Sequence, residues 1–104
     1  MEIIFNIPDG TGREIHLEKG RWKHILRHPH MHDQIENIKQ TIKNPDTTRY
    51  FEWDKNVRYL YKEFKNRDSS ERYLLVSIKY LNGEGFVITS FFTNKIIGLK
   101  WKTE

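Results

Sequence analysis

The chain has 104 residues, 31% of them charged, no cysteine and a formal net charge of +4. That length supports one modest hydrophobic core, and the lack of cysteine excludes a disulfide framework or a thiolate metal site. No apolar stretch approaches membrane-spanning length, and Met-Glu-Ile-Ile-Phe lacks the basic start of a secretory signal, so a single cytoplasmic domain over residues 1–104 with no membrane contact is expected.

The excess of Lys and Arg favours an acidic partner such as nucleic acid. A second source of that excess is codon usage, because the chain has no alanine and is rich in Lys, Ile and Asn, as AT-rich coding produces. Charge alone does not decide between them.

In chain order, Glu2 to Asn6 and Arg13 to Leu17 are strand-like runs around Pro8-Asp9-Gly10-Thr11-Gly12, whose turn-forming residues predict a hairpin. Trp22, Ile25 and Leu26, at i, i+3 and i+4, mark the buried stripe of a short helix. Pro29 disfavours helical geometry at His28 and breaks it. Met31, Ile35, Ile38 and Ile42 then form one face of a second helix, ended by Asn44-Pro45-Asp46.

Beyond Pro45 the pattern is β, with strands expected at Arg49 to Trp53, Val57 to Phe64, Arg72 to Tyr80 and Gly85 to Thr93. Helices followed by a meander predict an α+β domain: an N-terminal hairpin and two helices packed on a four-stranded antiparallel sheet. Strict alternation puts Leu74, Val76, Ile78 and Tyr80 toward the helices. The opposite face would then carry Lys79, Thr89 and Thr93, joined by Arg58 and Lys62. Leu60 and Phe64, which alternate in phase with those two cations, argue against their placement there.

Four of the five histidines fall in His24-Ile-Leu-Arg-His28-Pro-His30-Met-His32. Imidazole is the side chain that both accepts and donates a proton near neutral pH. Arg21, His24 and His28 are spaced three and four apart, so they share a helical stripe beside the apolar one. This is the pattern of an acid/base site for an anion, and equally of a solvated histidine-rich surface. His24 and His28 at i, i+4 can also chelate a divalent cation, with His30 and His32 completing the shell, although no acidic residue lies within the pair. No serine nucleophile motif or glycine-rich phosphate loop is present. Trp53, Tyr59 and Tyr61 can stack bases or fill a core.

The elements His24-Ile-Leu-Arg-His-Pro29, Thr41-Ile-Lys-Asn-Pro-Asp46, Tyr59-Leu-Tyr-Lys62, Tyr73-Leu-Leu-Val76 and Asn82-Gly-Glu-Gly-Phe-Val-Ile-Thr-Ser-Phe-Phe-Thr93 occur in an order that resembles the phage-type nucleases of the barnase–EndoU–colicin–RelE superfamily. The resemblance covers Arg21 to Ile96, and departs from the family pattern at His30, where an acidic residue commonly follows the proline. It implies a barnase/RelE-like fold and a metal-independent, cofactor-free endoribonuclease. In such enzymes the ribose 2′-hydroxyl attacks the adjacent phosphate and leaves a cyclic phosphate. By motif, His24 and His28 would be acid and base, Lys62 would stabilise the charged phosphate, and Thr89 would hydrogen-bond it. Arg27, Arg58, Lys79, Thr93 and Lys95 would hold the RNA backbone. A toxin or phage-derived role would bring an acidic antitoxin or immunity protein as partner. Two other classes stay open: a non-catalytic RNA-binding or regulatory module of the same fold, and a metal-dependent enzyme built on the histidine run.

Overall fold

A computed structural model describes residues 2–101; the expected domain, 1–104, extends past them at both ends. The architecture is α+β: β1 (Ile3–Pro8), β2 (Glu14–Glu18), α1 (Lys19–Ile25), α2 (Ile35–Lys43), β3 (Thr47–Phe51), β4 (Asp54–Glu63), β5 (Tyr73–Leu81), β6 (Glu84–Thr93) and β7 (Leu99–Lys100). The strands form one seven-stranded sheet in the order β1-β2-β6-β5-β4-β3-β7. The expected meander is present, but the four-stranded count is corrected. The N-terminal hairpin joins the sheet through a parallel pairing of β2 with β6, and β7 adds an edge beside β3. Among the described residues no helix is long and apolar enough to cross a membrane.

The parallel pairing is short, matching only Ile15 to Gly85 and His16 to Phe86. It depends on glycine at 85, where a Cβ would stand 2.5 Å from the Ile15 side chain and 2.9 Å from that of Ile78. β2 then turns directly into α1, which packs against β6 and β2, while α2 packs on β5 and β4. Ile15, Leu17, Ile25, Ile38, Ile42, Leu60, Leu74, Val76, Ile78 and Val87 close the core between them. Each such aliphatic side chain contributes about 1.5–3 kcal/mol by leaving water.

Both helices are shorter than their apolar spacing suggests. α1 ends at Ile25 and tightens, Arg27 N–H donating to the His24 carbonyl and His28 N–H to that of Ile25. That turn leaves Leu26 41% exposed instead of buried. Met31 precedes α2 but is buried all the same. The β5–β6 connection is a two-residue hairpin with Asn82 and Gly83 at φ 55° and 81°, the mirror-image turn that matches strand twist.

Alternation along β6 is broken once. Val87 pairs with Ile78 and Thr89 with Ser77, leaving Ile88 as an extra residue with no counterpart on β5. Val87 consequently lies in the core, whereas Thr89 sits on the face away from α2. That second face is partly roofed by residues 94–98, which carry the chain across to β7. Ile97 N–H donates to the Tyr61 hydroxyl over 3.4 Å, and an Arg49 guanidinium N–H to the Gly98 carbonyl over 3.2 Å. Tyr61 and Leu75 are buried under this crossing without belonging to the main core.

Substituting Gly85→Ala will crowd Ile15, which has no free surface, and is expected to cost about 1–3 kcal/mol. Urea denaturation followed by circular dichroism measures it; an unchanged midpoint would show that the β2–β6 contact tolerates a methyl group.

Candidate functional site

The early histidines meet the late strand at the edge of β6 that β2 leaves uncovered. His28 lies just past the last turn of α1, half-buried, with its ring 4.9 Å from that of Phe91 and Nε2 3.5 Å from Thr89 Oγ1. His24 stands one turn earlier and more exposed, its ring 5.9 Å from His28 in an edge-on arrangement. Phe91 and Thr89 are two apart on β6, so the strand offers His28 an apolar wall and a hydroxyl side by side.

Burial, and after it the neighbouring His24, push the His28 imidazole below its ordinary value of 6.5. A depressed histidine is unprotonated at neutral pH and available to accept a proton. Thr89 Oγ1, at the outer limit of hydrogen-bond distance, is the one side-chain partner near Nε2 among the described residues.

Next along β6 is a cleft of about 380 Å³ lined by Arg21, Lys79 and His16, by the acidic Glu18, and by Phe86, Val87 and Ile88. Arg21 is exposed and, among the described residues, has no hydrogen-bond or ion-pair partner. Lys79 Nζ donates to Asp54 over 2.5 Å, and this bond, with that from Asn56 N–H, holds the Asp54 carboxyl below its ordinary range. His16 is fixed between Asn6 Oδ1 and Glu84, with Nε2 2.6 Å from the Glu84 carboxylate.

The other expected site residues divide between the two sides of the sheet. Thr93 and Lys79 share the face of Thr89, since Thr93 pairs with Tyr73 and Lys79 with Phe86 and Val57. Lys95 lies in the crossing segment, its backbone N–H 3.3 Å from Thr93 Oγ1. Arg27 is exposed in the turn before His28. Lys62 and Arg58 are on the helix side: they pair with Leu74 and Ile78, both core residues. Lys62 Nζ donates to the Asn44 carbonyl at the end of α2 over 3.0 Å. Arg58 lies over the rings of Trp101 and Tyr80, 3.8 and 4.7 Å from their centroids. The expectation that both cations join Thr89 is therefore corrected. Leu60, between them, belongs to the core, and strand alternation carries its neighbours i±2 to the same side.

The histidine run does not gather as a chelate either. His30, with φ 64°, turns away and its Nδ1 lies 2.6 Å from Glu71, which Arg67 also holds at 2.9 Å. The hydrogen bond with His30 is the main reason the Glu71 carboxyl is held below its ordinary value. Among the described residues no three His, Asp or Glu side chains converge as metal ligands.

No family model, curated protein or solved structure matches the chain. The site's chemistry is thus argued from its own residues. Arg21 and Phe91 are the contributors that motif spacing underplayed. Arg21 was visible on the stripe with His24 and His28, whereas the apposition of Phe91 to His28 required the fold.

In His24→Ala the His28 imidazole is expected to titrate at higher pH than in the parent, yet still below 6.5 because its burial persists. Nuclear magnetic resonance of the imidazole protons follows this directly, and an unshifted His28 would separate the two rings electrostatically.

Proposed function

We propose that the protein is a metal-independent endoribonuclease whose site comprises His28, His24 and Thr89, with Arg21 and Lys79 as the nearby cations. What carries this reading is the convergence of two adjacent imidazoles and a threonine hydroxyl near a cleft that Arg21 lines. Transesterification of RNA requires a base for the 2′-hydroxyl, an acid for the departing 5′-oxygen and positive charge for the phosphorane. Neutral His28 takes the 2′-hydroxyl proton as that oxygen bonds to phosphorus. The bond from phosphorus to the 5′-oxygen breaks, and protonated His24 supplies the leaving group with a proton. Thr89 donates its hydroxyl to a non-bridging oxygen, and the products are a 2′,3′-cyclic phosphate and a free 5′-hydroxyl.

The cation assignment differs from what the family resemblance implies. Lys62 and Arg58 lie on the helix side of the sheet, so the phosphate role passes to Arg21 and to Lys79, which would exchange its bond with Asp54 for the phosphate, with Thr93, Arg27 and Lys95 along the flanking backbone. A net charge of +4 suits RNA and also an acidic inhibitor protein, the partner expected if the nuclease is a toxin. The competing reading is an RNA-binding module without turnover. It draws on the distance of Lys62 from Thr89 and on the long His28–Thr89 contact.

Incubation with total RNA decides between them. Cleavage that survives EDTA, ends in cyclic phosphate and falls about 10²–10⁴-fold in His28→Ala supports the enzyme; salt-sensitive binding with no product supports the module. Within the enzyme reading, Arg21→Ala is expected to lower kcat/KM about ten- to a hundredfold, the scale of a lost hydrogen bond to a charged group. Lys62→Ala should leave cleavage close to the parent's. Activity should decline on the acid side only below pH 6.5, where His28 becomes protonated.

A further inference from the structure

Trp53 stands at the turn between β3 and β4 and is 71% exposed, far more than any other large apolar side chain among the described residues. One face of its indole rests on Phe51, with ring centroids 5.4 Å apart and planes 21° from parallel. Phe51 meets Tyr59 edge-on at 5.0 Å. Tyr59 in turn pairs with Ser77, and Ser77 with Thr89. The aromatic stack is therefore in register with Thr89 on the face away from α2, with the buried Ser77 between them.

At this exposure the outer face of the indole is open to solvent, so Trp53 adds little to the core. Its stacking on Phe51 nonetheless holds the ring in a fixed plane, which limits the entropy lost when a second flat group lands on it. The surface is also the wrong size for a protein. A stable interface needs roughly 800 Å² from each partner, whereas here one ring is exposed and the exposed residues near it in sequence, Glu52, Lys55 and Asn56, are polar. A single flat, rigid, apolar ring on a basic domain matches one unpaired nucleobase, for which stacking works with any base. Tyr59 lies two interstrand spacings, about 10 Å, from Thr89, so a strand on the candidate site can reach the stack within a few nucleotides.

We propose that Trp53, backed by Phe51, is a stacking subsite for one unpaired base of an RNA strand held at the candidate site on the same face of the sheet. The direction of the strand rests on the nuclease reading; the stacking itself requires no cleavage. The subsite gives the protein a preference for single-stranded over duplex RNA, because a base in a helix has both faces covered.

The test uses the full chain and a short 2′-O-methyl oligoribonucleotide, which cannot undergo 2′-hydroxyl attack. Its affinity is measured by fluorescence anisotropy, alongside the same sequence as a duplex. Trp53→Ala is expected to weaken single-strand binding about tenfold, the scale of one stacked base, and Trp53→Phe to retain most of it. Binding should quench tryptophan emission in the parent, and the quench should be lost in Trp53→Phe. Equal affinity of Trp53→Ala and the parent at unchanged melting temperature overturns the proposal, as does equal affinity for duplex and single strand. If the parent fails to cleave RNA but Trp53-dependent binding remains, the subsite stands and the nuclease reading falls. If cleavage occurs without Trp53 dependence, the reverse holds.

Discussion

The brief contact of β2 with β6 is the constraint on which the arrangement depends. Because Gly85 lets Ile15 approach within the reach of one missing methyl group, β2 is anchored to the sheet for two residue pairs and then leaves it. The chain enters α1 immediately, so α1 falls against the part of β6 that has lost its neighbour. A longer ladder would continue β2 beside Thr89 and Phe91 and occupy the space that His28 now fills. The histidines reach the sheet because pairing stops early.

From that anchor most cations are engaged within the fold on both sides of the sheet, Lys79 with Asp54 and Arg49 with the Gly98 carbonyl included. On the helix side the cations are engaged within the fold: Lys62 on the end of α2, Arg58 between two aromatic rings, Arg67 over Phe92 and bonded to Glu71. A second cleft of about 370 Å³, lined by Arg58, Tyr80, Trp101, Asp9 and Lys43, lies there as well. Its Asp9 carboxyl illustrates the same internal satisfaction. Burial would raise it, but bonds from Thr11, the Tyr80 hydroxyl and Arg13 N–H hold it below its ordinary value. On the other side Arg21 remains uncommitted and His28 remains neutral, which is the distribution a reactive surface needs.

Much of this was legible in the residues. The helix break at Pro29, the Asn82–Gly83 turn, the four strands of the meander and the apolar faces of β4 and β5 all follow from turn chemistry and alternation. What escaped was non-local. β7 has two residues and pairs with β3 from fifty positions away, so no local pattern marks it. The parallel pairing of β2 is recorded only in a glycine that looks like part of a turn. Lys62 and Arg58 were misplaced because both were grouped with Lys79 and Thr89 as one basic face against their own phase with Leu60 and Phe64. In that instance the alternation rule was the better guide.

The unpaired Ile88 has a consequence for how this surface can change over time. Before it the odd-numbered Val87 faces the interior; after it the even-numbered Ser90 and Phe92 take the inner side and Thr89 and Phe91 the outer. Loss of that one codon would make Val87 and Thr89 neighbours on a regular ladder, with Val87 still inward and Thr89 and Phe91 still on the opposite face. The face that Thr89 presents is thus held by its pairing with Ser77, and the strand can gain or shed its one surplus residue without turning that hydroxyl over.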